Sequence, residues 1–442
     1  MSDASFVASV PDRRLTARDY KTLSLATLGG LLEFYDFIIF VFFANTIGQL
    51  FFPPEIPEWL RQLQTFGIFA AGYLARPLGG VVLAHAGDLR GRKQVFTLSI
   101  FLMALPTLGI GLLPNYAKLG ISAPLLLLLL RILQGIAVGG EVPGAWVFVS
   151  EHVDPSNVGV ACGILTGGLT GGILLGSLVA NTLSTGMTQD QLATYGWRIP
   201  FLLGGAFGLL SMHLRRLLAE TPVFLELEAR RAIAAETPLK TVVRDYRGAV
   251  VLSGLLTWML SAAIVVVILM TPALLERMYG VEPVVALRAN SLAALALAAG
   301  CVIAGWLTDR LGPGTVLTVG CPLLGVAAYL LYTTGTSDPW LTMFLYTFAG
   351  LTVGVVAVVP YVMIAIFPPE IRFSGVSFSY NIAYAIFGGL APIVVTWMIR
   401  FDRLAPVHYV GALCLLGTGI GIFLIAQGPT YKVVKEENKN AV

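Results

Sequence analysis

Polar stretches divide the chain into twelve apolar segments, each long enough to form a helix of about 20 residues. They lie at 22–50, 61–85, 95–114, 124–150, 158–183, 197–218, 247–274, 287–308, 314–334, 340–366, 373–399 and 407–427. A helix of about 20 apolar residues crosses the hydrocarbon core of a bilayer. Charged residues make up only 12% of the chain, against about 25% in soluble proteins. The sequence therefore predicts an all-α membrane protein with twelve transmembrane helices.

The basic residues predict which helix ends face the cytoplasm. With a cytoplasmic N-terminus, 19 of the 28 Lys and Arg fall on the cytoplasmic side and 7 on the other. Cytoplasmic loops of membrane proteins carry such an excess of Lys and Arg. No apolar run of the signal-peptide type precedes the first segment. We therefore expect both termini in the cytoplasm and a multi-pass location in a bacterial-type inner membrane.

The spacing of the segments predicts two bundles joined by a linker. The parts are a cytoplasmic N-terminal segment at 1–21, a six-helix bundle at 22–218, a linker with amphipathic helices at 219–246, a second six-helix bundle at 247–427 and a cytoplasmic tail at 428–442. A shift of 221 residues aligns Gly87-Asp88 with Thr308-Asp309, in both cases between the second and third span of a half. A motif at the same place in both halves is typical of parallel repeats. We therefore expect two pseudo-symmetric bundles.

These two loops also carry charges that suit a gate between the halves. The expected gate residues are Asp88, Arg92, Lys93, Asp309 and Arg310. A carboxylate near the start of a helix accepts backbone N–H bonds, and an Arg can pair with a carboxylate at the opposite helix end. We expect this cluster to close the cytoplasmic side, although positive-inside charge alone would also explain its basic members.

The motifs along the chain resemble those of the major facilitator superfamily and, within it, of the metabolite:proton symporter family. They are Leu32-Glu33-Phe34-Tyr35-Asp36-Phe37, Ala75-Arg76-Pro77-Leu78-Gly79, Gly87-Asp88 to Lys93, Arg131-Ile-Leu-Gln134-Gly135, Gly139-Gly140-Glu141, Gly196-Trp197-Arg198 and Tyr380-Asn381. One departure is Leu89, which stands where the family has a basic residue. The resemblance covers nearly the whole chain. It implies the fold of that superfamily and alternating-access transport rather than enzymatic activity. It also implies a proton as the coupling ion, no cofactor, and substrates such as citrate, other carboxylates, shikimate, proline or betaine.

Five charged residues lie deep within the predicted spans, away from the span ends, and all five are in the first half. They are Glu33, Asp36, Arg76, Arg131 and Glu141. A charge at mid-bilayer costs at least about 2.5 to 3.5 kcal/mol, so such residues are candidates for function. We expect one of the three acids to bind and release the coupling proton, with the two Arg tuning its proton affinity. A permanent salt bridge between Glu33 and Arg76, which lie at a similar predicted depth, is the structural alternative.

The substrate is expected to contact polar and aromatic residues of both halves. The candidates are Tyr35, Arg76, Arg131, Gln134, Tyr361, Asn381 and Tyr384. Guanidinium groups pair bidentately with carboxylates, and an aromatic ring such as that of Tyr35 can hold a cationic head group. On the fourth span, Arg131, Gln134 and Glu141 form one stripe at helical spacing. We expect this stripe to face the transport cavity.

Two buried Arg residues make proton-coupled uptake of a di- or tricarboxylate the favoured function. The alternatives are proton symport of a zwitterionic osmolyte such as proline or betaine, and an uncoupled facilitator or exporter of the same fold. The four His and four Cys show no metal-ligand spacing, so no metal site is expected. The expected partners are a small-molecule substrate and the lipid bilayer, without nucleic acid, and the protein is expected to be a monomer.

Overall fold

Long helices account for most of the chain in the computed structural model, which describes residues 16–90, 92–216, 221–229, 238–334 and 338–428. The first half contains α1 (Ala17–Phe42), α2 (Glu58–Arg90), α3 (Arg92–Leu112), α4 (Ser122–Ser150), α5 (Val158–Gly186) and α6 (Arg198–Arg216). The second half contains α7 (Arg247–Tyr279), α8 (Pro283–Leu311), α9 (Pro313–Thr334), α10 (Pro339–Ile366), α11 (Arg372–Met398) and α12 (Ala405–Gln427). Two short helices, Pro222–Ala229 and Pro238–Asp245, lie in the predicted linker.

Ten helices in the described part of the chain are long and apolar enough to cross a membrane. The other two predicted spans coincide with α3 and α6. Within α3, the apolar stretch is the shorter segment Thr97–Leu112. The protein is therefore a multi-pass membrane protein, while the count of twelve crossings stays a prediction.

The helices pack into two groups that follow the order of the chain. In the first half, α1 packs on α5 and α6, α2 on α4, and α3 on α4 and α6. In the second half, α8 packs on α10, α9 on α12, and α7 on α11. The two most extensive contacts between the groups are those of α5 with α8 and of α2 with α11. A shift of 221 residues relates α2 to α8 and α5 to α11, so these two pairs occupy equivalent places in the two halves, as duplicated halves require.

Glycine allows α5 and α8 to approach with their backbones in contact. A Cβ atom on Gly305 would collide with the carbonyl group of Gly159. Farther along the same pair of helices, the hydroxyl oxygens of Ser177 and Ser291 lie 3.3 Å apart. Small residues at such an interface permit close contact over several turns. The two halves therefore meet along most of these two helices.

The second half contains helical segments that depart from α geometry. In α7, residues Ala263–Met270 form a π segment, and in α11 a second π segment covers Tyr384–Gly388. The carbonyl of Ile268 accepts hydrogen bonds from Asn290 Nδ2 at 2.7 Å and from Tyr346 Oη at 3.0 Å. A π turn leaves backbone groups open to such side-chain bonds. These contacts stabilise α7 in its irregular form.

Candidate substrate and proton site

Arg76 lies where α2 meets α11, and its guanidinium is surrounded by aromatic rings from both halves. The Cζ atom of Arg76 lies 5.6 Å from the ring centroid of Tyr73, 5.3 Å from that of Tyr380 and 4.5 Å from that of Tyr384. These are cation–π distances. The Tyr73 and Tyr384 rings stack on each other across the interface, with centroids 5.7 Å apart. Tyr73, Tyr380 and Tyr384 together form the tyrosine cage.

Asn381 fixes one side of the Arg76 guanidinium. Arg76 Nε donates to Asn381 Oδ1 at 3.3 Å. The amide nitrogen of Asn381 donates to the carbonyl of Gly139 at 2.6 Å and to the carbonyl of Ser377 at 2.8 Å, which turns Oδ1 toward Arg76. Arg76 is 2% exposed, and its Nη2 has no hydrogen-bond partner among the described residues. One edge of a buried guanidinium therefore remains available to an anionic ligand.

Helix geometry explains how this site is assembled. Tyr73 and Arg76 are three residues apart on α2, and Tyr380 and Tyr384 are four apart on α11, so each pair shares a helix face. Pro77 lies inside α2 and lacks the N–H that would bond to the carbonyl of Tyr73. The close approach of α4 depends on glycine, because a Cβ atom on Gly139 would collide with the carbonyl of Arg76.

The predicted salt bridge between Glu33 and Arg76 is not formed. Arg76 points toward the second half, whereas Glu33 accepts a hydrogen bond from Ser211 of α6 at 3.4 Å. Glu141 accepts a hydrogen bond from Ser99 of α3. Glu33 and Arg76 could pair only if they lay at the same depth, but equal depth is not sufficient. The helix faces that carry Glu33 and Glu141 pack against α6 and α3. These acids therefore lie inside the first half rather than at the interface between the halves.

Asp36 is also enclosed within the first half. It is 0% exposed, and neither carboxyl oxygen has a hydrogen-bond partner among the described residues. Gly204 and Gly208 of α6 make room for it, because a Cβ atom on Gly204 would collide with Oδ1 of Asp36. An ionised carboxylate at this position has lost its hydration without gaining a hydrogen bond. This environment distinguishes Asp36 from Glu33 and Glu141, which both accept hydrogen bonds.

The stripe of Arg131, Gln134 and Glu141 faces α3 and the interior of the first half, not the interface. Arg131 Nη1 donates to Gln134 Oε1 at 2.8 Å, and Gln134 Nε2 donates to Thr107 of α3 at 2.7 Å. The Arg131 guanidinium is also covered by aromatic rings at 4.6 to 5.3 Å, those of Phe37, Phe40 and Phe69. Arg131 and Gln134 are both fully buried. The prediction that this stripe lines the cavity is therefore wrong for this conformation.

Besides Arg131 and Gln134, two further predicted substrate residues lie apart from Arg76. Tyr35 is fully buried, and its hydroxyl donates to the carbonyl of Pro200 in α6 at 3.0 Å. Tyr361 of α10 is 8% exposed and lies within electrostatic reach of Asp309 at the end of α8. Among the predicted substrate residues, the structure thus brings three together at one place, Arg76, Asn381 and Tyr384.

Asp309 connects the halves at the predicted cytoplasmic side. Its carboxylate accepts hydrogen bonds from the backbone N–H groups of Gly159 at 2.6 Å and Val160 at 2.7 Å, at the start of α5. A carboxylate at a helix N-terminus also interacts favourably with the helix dipole. Arg310 does not join this contact, because its guanidinium lies 4.2 Å from the ring centroid of Trp306 on its own helix. The side chains of Asp88, Arg92 and Lys93 lie outside the described residues.

A second connection at this end of the bundle was not predicted. Arg372 Nη1 at the start of α11 lies 3.2 Å from Glu151 Oε1 at the end of α4. The Glu151 side chain is 1% exposed and that of Arg372 is 17% exposed, so the pair is largely shielded from solvent. The Asp309 contact and this ion pair both close the same end of the bundle. The described conformation is therefore closed on the side predicted to be cytoplasmic.

Tyr73 and Tyr380 were also missed, although the sequence offers a weak signal for both. Tyr73 precedes Arg76 by three residues and Tyr380 precedes Tyr384 by four, so each shares a face with a residue that was predicted. Ser99, Thr107 and Ser211 carry no such signal. Hydroxyl groups are common in membrane helices, and only packing shows which of them meet a carboxylate or an amide.

Comparison with known proteins agrees with this architecture. The model of the Major Facilitator Superfamily matches residues 37–392. The chain is 33% identical over 425 residues, 91% of this chain and 88% of the relative, to the "Putative proline/betaine transporter" of Staphylococcus aureus (strain COL). It is 29% identical over 439 residues, 95% of this chain and 85% of the relative, to the glycine betaine/proline/ectoine/pipecolic acid transporter OusA of Dickeya dadantii (strain 3937).

Among solved structures, the proton:xylose symporter XylE of E. coli has a similar fold. The TM-score is 0.77 at 17% sequence identity, and the match covers 92% of this chain and 96% of that one. At this identity the likeness concerns the fold alone. With a family model that spans most of the sequence, and two connected helix bundles of the same architecture, the chain belongs to the major facilitator superfamily.

Proposed function

We propose that the protein is a proton-coupled symporter for uptake of a small zwitterionic osmolyte, of the proline and betaine class, across the inner membrane. The observation that carries this proposal is the Arg76 site. A guanidinium with an unused donor and three aromatic rings meet at one point between the two halves. A carboxylate pairs with the guanidinium, and the aromatic rings attract an organic cation.

This arrangement favours a zwitterion over a di- or tricarboxylate. The organic-acid hypothesis required two Arg residues at one site, but Arg131 is enclosed by Phe37, Phe40 and Phe69 inside the first half. A single guanidinium suits a single carboxylate. The names of the relatives from Staphylococcus aureus and Dickeya dadantii, which give proline and betaine, point in the same direction.

The proton belongs to the first half in this proposal. Glu33, Asp36 and Glu141 lie on α1 and α4, and their neighbours include hydroxyl groups and glycines of α3 and α6. Asp36 is the preferred carrier, because its carboxyl oxygens have no hydrogen-bond partner among the described residues, so its surroundings provide nothing that holds an anion. Movement of α1 and α4 during alternating access would change its exposure to water.

Alternating access then follows from the position of the substrate site. The tyrosine cage contains Tyr73 from one half and Tyr380 and Tyr384 from the other. Separation of α2 from α11 at the Asp309 end divides this cage and opens the site to that side. Asp309 and the Glu151–Arg372 pair act as the gate that holds this side closed.

The first experiment measures uptake of radiolabelled glycine betaine and proline into proteoliposomes with an imposed pH gradient. We expect uptake that depends on the gradient and that an unlabelled betaine inhibits. Arg76→Gln should abolish uptake and weaken substrate binding. Arg131→Gln is the matched control, since it removes another ring-covered Arg and should leave substrate affinity unchanged. Uptake of citrate but of neither zwitterion would refute the proposed substrate class.

A second experiment separates coupling from binding. Asp36→Asn should keep counterflow of labelled substrate but lose accumulation driven by the pH gradient, because the amide keeps the shape and cannot carry a proton. Asp190→Asn, at an exposed position near the start of α6, is the control and should behave as the parent protein. Gradient-driven accumulation by Asp36→Asn would remove Asp36 from the coupling scheme.

A further inference from the structure

We propose that Arg76 occupies the cation subsite of its own transport site when no substrate is bound. A substrate must then satisfy the guanidinium before its own cation can enter the tyrosine cage. This inference rests on the proposed function and extends it, because it explains how one site would select zwitterions against both simple cations and simple anions.

The geometry around Arg76 is that of a site built for an organic cation. The guanidinium carbon lies within 5.6 Å of all three ring centroids, and aromatic rings attract cations within about 6 Å. The cage is supported from behind, since Trp146 packs edge-on against Tyr380 with centroids 5.0 Å apart. The indole N–H of Trp146 is in turn held by Thr166 at 3.1 Å. These contacts keep the rings in place when the occupant changes.

Arg76 and a substrate cation exclude each other from the cage. Both are positive, and a space enclosed by three tyrosine rings does not screen one from the other. Arg76 can leave only if its charge is compensated elsewhere, because a buried charge without a partner is costly. Its hydrogen bond to the neutral amide of Asn381 brings no negative charge, and its Nη2 is unused, so neither provides that compensation.

A carboxylate provides the missing partner. Its two oxygens accept two parallel N–H bonds from one edge of a guanidinium and form a bidentate ion pair. A simple cation brings no carboxylate, so Arg76 stays in the cage and blocks it. A simple anion can pair with Arg76 but leaves the cage without a cation. Only a zwitterion supplies both charges, so the exchange itself selects the substrate.

The experiment measures binding of choline, a quaternary ammonium without a carboxylate, to the purified full chain by scintillation proximity. The parent protein should bind choline at least tenfold more weakly than glycine betaine. Arg76→Ala empties the cage and should bind choline at least tenfold more tightly than the parent, while its affinity for betaine falls. Adding Tyr384→Leu to Arg76→Ala should remove the gain, whereas Tyr384→Phe keeps the ring and should preserve it.

Control variants and folding checks make the outcomes distinct. Arg131→Ala should give no gain in choline binding, because its rings lie inside the first half. Each variant is compared by size-exclusion chromatography and thermal unfolding, with Arg76→Gln as a second variant in case Arg76→Ala does not fold. The proposal is overturned if folded Arg76 variants fail to gain choline binding, or if the gain survives Tyr384→Leu. If the parent binds no zwitterion but Arg76→Ala gains choline, the cage stands and the proposed substrate class fails.

Discussion

Replacing Asp309 by Asn should weaken the contact that joins the end of α8 to the start of α5. In the structure, the Asp309 carboxylate accepts two backbone hydrogen bonds, from Gly159 at 2.6 Å and Val160 at 2.7 Å. Asn is nearly the same size and keeps a carbonyl oxygen, so the packing of the two helices is preserved. What is lost is the negative charge at the helix N-terminus and one of the two strong acceptors.

The expected effect follows from ordinary magnitudes. A hydrogen bond to a charged group contributes about 1.5 to 3 kcal/mol and one to a neutral group about 1 kcal/mol. The interaction of a charge with a helix N-terminus adds about 0.3 to 1 kcal/mol. Exchanging two charged acceptors for one neutral one therefore destabilises the closed state by about 2 kcal/mol or more. The population open at the Asp309 end should rise about 30-fold.

Cys162 reports this opening. It is fully buried on α5, between Gly159 and Gly163, whose backbones both lie against α8. In a variant whose other three Cys are replaced by Ala, we expect N-ethylmaleimide to label Cys162 slowly in the parent protein. Asp309→Asn should raise the labelling rate by a factor of about 30, because the thiol becomes accessible only when α5 and α8 separate.

Asp338→Asn is the matched control. Asp338 also accepts a backbone N–H at a helix start, from Trp340 at 3.0 Å, but both residues belong to the second half. Its replacement should lower the unfolding temperature slightly and leave the labelling rate of Cys162 unchanged. An Asp309→Asn protein that is folded and labels at the parent rate would show that Asp309 does not hold the halves together.

Three further outcomes are expected. Gly139→Ala should lower the unfolding temperature, since overpacking typically costs about 1 to 3 kcal/mol, whereas Gly419→Ala, which has nothing within 4 Å of the added Cβ, should leave it unchanged. Glu151→Gln and Arg372→Gln should each speed the labelling of Cys162, and the double variant should be no faster than the stronger single one if the two act only as a pair. Trp146→Phe keeps the ring against Tyr380 but loses the indole hydrogen bond, so it should cost about 1 kcal/mol in thermal unfolding without abolishing substrate binding.

Several parts of the site were predictable because they depend only on position along one helix. Asn381 and Tyr384 share a face of α11, and Asp309 lies at the end of a helix, where a carboxylate meets a neighbouring backbone. The polar partners of the acids were not predictable. Which side of α1 or α4 meets α3, α6 or the other half depends on packing between helices, and spacing within one helix does not contain that information.

The same reason explains the corrected predictions. Glu33 and Arg76 share a depth, and Arg131 and Gln134 share a stripe, but the sequence does not show what lies opposite them. Arg310 follows Asp309 by one residue and therefore points about 100° away around the helix, which places it over Trp306 on the same helix. Adjacent charges in a helix rarely act on the same partner.

The sequence by itself determined that this is a multi-pass membrane protein, and it predicted related halves with the deep intramembrane charges in the first half. These conclusions depend on the hydropathy of the segments, the number and position of the charged residues and the spacing of a repeated motif, which are properties of the chain alone. Tertiary structure decided which of the two buried Arg residues meets both halves. Arg76 packs among Tyr73, Tyr380 and Tyr384, while Arg131 packs among rings of its own half. Both guanidinium groups are buried, but only that of Arg76 lies at the interface between the two bundles, where the proposed alternating access would link a ligand to their motion.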